Sequence, residues 1–429
     1  MNQSKPKGTL VERRYLVPFI LITSLFALWG FANDITNPMV AAFKDIMKIS
    51  TAEASMVQFA FYGGYATMAI PAALFIRRYS YKTGILIGLG LYAVGAFLFI
   101  PAAQLERFSF FCISLYVLTF GLAFLETTAN PYILSLGSKE TSTRRLNFAQ
   151  AFNPVGSLSG MAVASLIILP NLISDERDAA GQLIHTTLTA EQRAHDLAVI
   201  RDPYVAVGLV VLVMFVIIAC VKMPRTEGRG PKVTSRETLS RLWKNKIYRT
   251  GVLTQMFYVA AQIMVWTFII QYAGNLGIDK ATAQNYNILA MGLALTFRFL
   301  GTYIMKYIPA PRLLTLFGIG ASLCTLCAIL IVGFAGLCFL VAISAFMSIM
   351  FPSIYGIALE RVDERDTSLG AAFLVMAIVG GALMPPLQGS IIDMGSIAWL
   401  PAVNASFILP LICFIAVTLY GISTIRSRR

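Results

Sequence analysis

Long apolar runs, separated by short polar connections, dominate the pattern of the chain. Each run is close to or longer than the roughly 20 residues that a helix needs to cross a bilayer. Twelve runs can be placed, at about 15–43, 52–76, 81–101, 108–136, 146–169, 203–221, 250–274, 281–305, 311–332, 335–358, 368–392 and 401–424. The pattern predicts an all-α polytopic membrane protein with twelve transmembrane helices, numbered here as spans 1 to 12.

Two connections are long, and they differ in composition. The segment from Pro170 to Asp202 has charges of both signs, whereas the segment 222–249 carries nine Lys and Arg residues against two Glu. The second segment is therefore predicted to be a basic linker on the cytoplasmic side. We predict a six-helix half over residues 1–221, a linker over 222–249 and a second six-helix half over 250–429.

Charge and composition support this interpretation. The chain is 57% hydrophobic and 13% charged, while ordinary soluble domains are about 25% charged. The net charge of +13 is spread between the apolar runs, so it predicts topology rather than binding to nucleic acid. Placing both termini in the cytoplasm puts 26 of the 34 Lys and Arg residues on the inner side.

Two six-span halves joined by a basic inner linker are typical of a major facilitator transporter, with its substrate site at mid-depth between the halves. A channel or a receptor is the competing class, but neither needs two matched halves. An enzyme is not expected, because the sequence shows no nucleophile–base pair and no metal cluster.

Three charged residues lie well inside predicted spans, away from the span ends: Asp34, Glu126 and Arg298. An ionised group in hydrocarbon costs from about 3 to more than 10 kcal/mol, so such residues usually have a partner or a function. We predict that the two acids couple transport to protons and that Arg298 is an intramembrane charge partner. A static ion pair that locks helices together is the alternative.

Uncharged polar side chains recur in the same spans. Amides suit a neutral polyol, because each offers both a donor and an acceptor to neighbouring hydroxyl groups. In span 7, Gln255, Tyr258, Gln262 and Trp266 recur at spacings of three and four, and Trp266 offers a plane for a sugar ring. The predicted substrate-binding residues are Asn33, Asn37, Asn130, Gln150, Asn153, Gln262, Trp266, Asn285 and Tyr355.

Proline and glycine interrupt several spans. Span 10 contains Pro352, and span 11 contains Gly380-Gly381 and Pro385-Pro386. We predict that these broken helices are gating elements. The glycines Gly156 and Gly160 of span 5 predict close contact between helices instead.

Several long motifs resemble the fucose–proton symporter family of the major facilitator superfamily. They are FYGGYATMAIPAALFIRRYSYKTG (61–84), LETTANP (125–131), RLNFAQAFN (145–153), FMSIMFPSIY (346–355) and VMAIVGGALMPP (375–386). The resemblance covers essentially the whole membrane domain. Members of this family carry L-fucose with protons, while relatives take glucose, galactose or N-acetylglucosamine, some with sodium.

The resemblance implies that Glu126 is the span 4 glutamate that exchanges protons. It also implies a span 1 aspartate, but an alignment without gaps places that residue on Asn37. Asp34 lies three residues earlier, which keeps its carboxylate on the same helix face about 4.5 Å away along the axis.

These observations and the resemblance predict a proton-coupled symporter that imports a neutral monosaccharide by alternating access, with L-fucose as the predicted sugar. The alternative is a sodium- or proton-coupled carrier of glucose, galactose or N-acetylglucosamine from the same family. No cofactor or metal is expected, since the proton gradient supplies the energy. The expected partners are a small sugar, protons and the lipid bilayer, and we expect a monomer in the inner membrane of a bacterium.

Overall fold

The computed structural model describes residues 10–35, 42–43, 46–49, 56–175, 187–224, 235–278, 280–392, 394, 396–397 and 399–427. Within these residues the chain is mostly helical. The strands that they contain are two short antiparallel segments, β1 (Ser396–Ile397) and β2 (Leu400–Pro401), just before the last span.

The helices follow the predicted order of spans. The first six spans correspond to α1 (Leu16–Ile35), α2 (Met56–Arg78), α3 (Tyr81–Phe97) with α4 (Phe99–Leu105), α5 (Phe108–Ser135), α6 (Ser142–Gln150) with α7 (Phe152–Val163), and α8 (Ala190–Cys220). The linker contributes α9 (Ser235–Lys244). The last six correspond to α10 (Lys246–Asn275), α11 (Lys280–Ile304), α12 (Ala310–Leu330), α13 (Phe334–Met347) with α14 (Met350–Leu359), α15 (Thr367–Met376) with α16 (Gly380–Ile392), and α17 (Ala402–Ser406) with α18 (Ile408–Arg426).

Eleven helical stretches among the described residues are long and apolar enough to cross a bilayer. Span 2 adds a shorter apolar stretch, Ala60–Ile76, within α2. The predicted all-α membrane fold is therefore confirmed, with helices at all twelve predicted positions.

Span 6 is longer than its apolar run predicts. We expected a helix from residue 203, but α8 begins at Ala190. The Thr189 side chain accepts a hydrogen bond from the Gln192 backbone, and the Gln192 side chain accepts one from the Thr189 backbone. This reciprocal cap satisfies donors at the start of the helix, so the helix starts in the polar segment before the apolar run.

The helices group by their contacts into two units, which are described separately. Unit A comprises Ile20–Ala129 and Val155–Arg225, and unit B comprises Met1–Phe19, Asn130–Pro154 and Thr226–Arg429. The predicted division into two six-helix halves joined by a linker stays a prediction.

Glycines allow close helix packing in unit A. A Cβ atom at Gly156 would lie 1.7 Å from the carbonyl oxygen of Ala27, and one at Gly160 would lie 2.7 Å from that of Phe31. These distances leave no room for a side chain, so α7 packs directly on the backbone of α1. The predicted role of both glycines as helix contacts is confirmed.

In unit B, buried arginine and aspartate residues fix the ends of several helices. Arg145 is fully buried and donates to the carbonyls of Ile133 and Leu134 at 2.8 and 2.6 Å. The α9 helix is attached to the start of span 11, where Asp366 accepts hydrogen bonds from Arg241 and Thr238. Arg145 therefore fixes the end of α5, and Asp366 fixes α9 on the start of span 11.

Candidate functional site

Glu126 lies on α5, which continues through Pro131 to Ser135 without a break. Its side chain is half-buried, but its Oε2 atom is buried and has no hydrogen-bond partner among the described residues. The neighbouring Thr127 and Thr128 are fully buried. Thr128 donates back to the Phe124 carbonyl of its own helix, which leaves the glutamate without that hydroxyl. A carboxylate in this setting is poorly stabilised as an anion.

Two tyrosines of α2, Tyr62 and Tyr65, interact with the acids of unit A. The Asp34 carboxylate acts electrostatically on Tyr62, and Glu126 acts on Tyr65. Tyr62 and Tyr65 lie one helical turn apart and interact with each other. Each of these tyrosines therefore lies near one of the two acids.

Sequence reasoning did not single out these tyrosines, although the motif FYGGY contains a signal for them. Gly63 and Gly64 separate the two tyrosines, and a Cβ at Gly64 would lie 2.7 Å from Thr119 of α5. The small residues allow α2 to approach α5 closely. The tyrosines that flank them are brought toward the helix that carries Glu126.

Asp34 is buried near the end of α1, and Asn33 beside it is half-buried. Asn37 lies outside the described residues. The predicted roles of Asp34, Asn33 and Asn37 stay predictions.

Two of the predicted substrate residues in unit B, Asn130 and Gln150, are joined by a hydrogen bond. The Gln150 side-chain amide donates to the side-chain oxygen of Asn130 at 2.9 Å, and both residues are buried. Asn147 of α6 donates to the Ser353 hydroxyl of α14 at 3.2 Å. Asn153 is half-buried, and Tyr355 on α14 is fully buried.

Arg298 on α11 is buried, and it donates to two main-chain carbonyls. Its Nη1 atom lies 3.0 Å from the Gln150 carbonyl, and its Nε atom donates to the Ser348 carbonyl. Its predicted pairing with an intramembrane acid stays a prediction.

Both carbonyl acceptors of Arg298 are freed by proline. Pro154 lies four residues after Gln150, and Pro352 lies four residues after Ser348. A proline has no N–H for the carbonyl one turn before it, so each of these carbonyls lacks its ordinary helical donor. The helices are interrupted at the same places, between α6 and α7 and between α13 and α14. Arg298 therefore joins two proline breaks in spans 5 and 10.

The predicted polar face of α10 contacts span 10 along much of its length. The Tyr258 hydroxyl donates to the Met347 carbonyl at 3.0 Å, and the Trp266 indole N–H donates to the Ser344 hydroxyl at 3.2 Å. Gln262 is half-buried. Asn285, near the start of α11, is exposed.

The family model described as the Major Facilitator Superfamily matches residues 20–385. An L-fucose-proton symporter of Haemophilus influenzae is 61% identical over 418 residues, which are 96% of this chain and 97% of the relative. A glucose/galactose transporter of Brucella abortus is 30% identical over 96% of this chain and 95% of its own length.

A similar fold is found among solved structures. The crystal structure of the transporter FucP in its outward conformation matches with a TM-score of 0.87 and 30% identity. The match covers 96% of this chain and 99% of that chain. The sequence match and the structural match therefore both extend over almost the full length of this chain.

Proposed function

Since the chain belongs to the fucose–proton symporter family of the major facilitator superfamily, we propose that it carries L-fucose into the cell together with protons. The observation that carries this proposal is the 61% identity, over nearly the full length, to a protein named as an L-fucose-proton symporter. The chain is thus a transporter rather than an enzyme.

Glu126 is the proton carrier in this mechanism. Ionised, it lacks a hydrogen-bond partner for its buried oxygen among the described residues, whereas protonation removes the charge that burial penalises. A proton that binds from outside allows the site to close around the sugar. Release of the sugar and then of the proton on the inner side returns an empty carrier.

Asp34 is the second acid of the coupling site. The electrostatic interaction of Asp34 with Tyr62, and that of Glu126 with Tyr65, supports a coupling site that contains both acids. Sugar binding and protonation favour each other if both neutralise or cover the same group.

The amides of the predicted site bind the sugar. Asn130, Gln150 and Asn153 supply donors and acceptors for hydroxyl groups, and the Trp266 ring supplies a plane for C–H groups. The Asn130–Gln150 hydrogen bond holds both amides in defined orientations before a sugar arrives. Such preorganisation reduces the entropy lost on binding.

The proposed setting is the inner membrane of a bacterium, with both termini in the cytoplasm and the chain acting as a monomer. The bias of Lys and Arg toward the connections on one side supports the orientation. The bacterial origin of the similar transporters supports the location.

A panel of sugars tests the substrate. Purified protein should be stabilised against thermal unfolding by L-fucose, since a ligand that binds only the folded state raises the melting temperature. D-galactose, D-glucose, D-arabinose and N-acetylglucosamine serve as comparisons. Stabilisation by D-glucose and D-galactose but not by L-fucose would favour the activity named for the Brucella abortus relative instead.

A further inference from the structure

Gln255 is a fully buried glutamine whose side-chain amide is used by none of the contacts described so far. It lies on α10, with no exposed surface. Both Oε1 and Nε2 are buried without a hydrogen-bond partner among the described residues. A buried amide with neither atom paired is costly, and an apolar side chain of the same length would cost less.

Other buried amides of unit B are bonded, so the environment of Gln255 differs from theirs. Gln150 donates to Asn130, Gln388 donates to Ser406 at 3.0 Å, and Asn404 donates to Tyr272 at 2.8 Å. Gln255 is therefore the clearest case, within the described part of unit B, of an amide whose whole bonding capacity is unused.

The neighbours of Gln255 on α10 show which way it faces. A Cβ at Gly251 would lie 2.7 Å from the Cβ of Ala358, and the Tyr258 ring centroid is 6.4 Å from that of Phe351. Positions 251, 255 and 258 share one helix face, so Gln255 lies between these two contacts and faces α14.

The opposite side of α14 packs against α6. Asn147 donates to Ser353, and a Cβ at Gly356 would lie 2.8 Å from the Thr143 hydroxyl. Asn147 Oδ1 and the Ser348 hydroxyl, just before α14, are also buried without a partner among the described residues. Polar atoms without a partner among the described residues therefore occur on both helices that pack against α14, at Gln255 of α10 and at Asn147 of α6.

Gln255 is also displaced from the predicted sugar site toward α9. It precedes Gln262 by seven residues, or about 10 Å along the helix axis. This places it between Gln262 and the end of α10 that joins the basic linker, on the proposed cytoplasmic side.

We propose that Gln255 binds hydroxyl groups of the sugar in the form of the carrier that opens toward α9, when α14 separates from α6. Its amide offers one donor group and one acceptor, which together match a pair of neighbouring hydroxyls. The inference rests on the proposed sugar transport and adds to it a contact on the release path.

The test compares sugar affinity at the two membrane faces. L-fucose counterflow is measured without a proton gradient in right-side-out and inside-out vesicles that contain the full chain. For Gln255→Met we expect KM to rise about tenfold at the face that carries α9, as for loss of one well-placed hydrogen bond. At the opposite face we expect KM to stay within about twofold. The melting temperature should rise, because an unpaired buried amide is removed.

Gln388→Met is the matched control. It removes another buried glutamine of unit B, but one that donates to Ser406. We expect a lower melting temperature and an unchanged ratio of KM values at the two faces. Gln255→Asn, which keeps an amide, should restore part of the affinity at the face that carries α9.

Two results would overturn the inference. One is a Gln255→Met variant with unaltered KM at both faces. The other is loss of transport in both directions with a lower melting temperature, which would make Gln255 structural. If instead the proposed function is wrong, the unsubstituted chain will not transport L-fucose.

Discussion

Glu126 in unit A and Arg298 in unit B are both ionisable side chains within membrane-spanning helices, but their surroundings differ. Arg298 donates to two carbonyls that prolines have freed. Glu126 has a buried oxygen without a partner among the described residues. A charge with fixed donors or acceptors stabilises helices, whereas one without them gains from binding a proton. We therefore propose a structural role for Arg298 and a proton-coupling role for Glu126.

The largest effect is expected for Glu126→Gln. The amide is neutral and cannot exchange a proton, so uptake against a gradient should stop and accumulation should fall to passive equilibration. Exchange of L-fucose across the membrane should continue, because the shape of the site is kept. Uptake and counterflow in proteoliposomes measure the two activities. Loss of both together would give Glu126 a structural role and end the contrast with Arg298.

Arg298→Met should lower the free energy of unfolding by about 2–4 kcal/mol, because two buried carbonyls lose their donor. Thermal unfolding in detergent measures this change. Pro154→Ala supplies the N–H that the Gln150 carbonyl lacks, so it should reduce the cost of Arg298→Met by about 1 kcal/mol.

The double-mutant comparison of Arg298→Met with Pro154→Ala can also contradict the structural role of Arg298. If the effects of Arg298→Met and Pro154→Ala simply add, Arg298 is not acting on the carbonyl freed by Pro154. Arg298 would then need another role, and pairing with an acid would be the first to examine.

Gln150→Leu should weaken L-fucose binding about tenfold or more, since it removes an amide of the proposed sugar site and the partner of Asn130. The dissociation constant from a binding titration measures this. Asn404→Leu is the control, because Asn404 is a buried amide bonded to Tyr272 outside the predicted site. An equal loss of affinity in both variants would show a general effect of destabilisation.

The smallest effect is expected for Trp266→Phe, which keeps an aromatic plane but loses the hydrogen bond to Ser344. One neutral hydrogen bond contributes about 0.5–1.5 kcal/mol, so L-fucose affinity should fall about two- to tenfold. Ser344→Ala removes the same bond from the other side and should have a similar effect. If Trp266→Phe alone changes affinity, the indole contacts the sugar directly.

Much of the fold follows from the sequence, because apolar runs of membrane-crossing length can form little besides helices in lipid. The start of α8 does not follow, since a polar cap at Thr189 extends the helix beyond its apolar run. The hydropathy pattern shows which residues can lie in the membrane, but it does not show at which residue a helix begins.

The candidate functional site can be predicted from the sequence less completely than the fold. Spacing places Gln150 and Asn153 on one face, but it does not show that Gln150 bonds Asn130 or that its carbonyl binds Arg298, which is 148 residues away. Those contacts depend on tertiary packing. The link of Tyr65 to Glu126 likewise depends on the approach of α2 to α5, for which Gly63 and Gly64 are the local sign.

Proton movement tests the central claim most directly. Proteoliposomes containing the full chain are prepared without sodium, and external pH is followed as L-fucose is added. We predict alkalinisation outside that depends on L-fucose and is absent in Glu126→Gln. L-fucose entry without any pH change, or entry that requires sodium, would contradict the account.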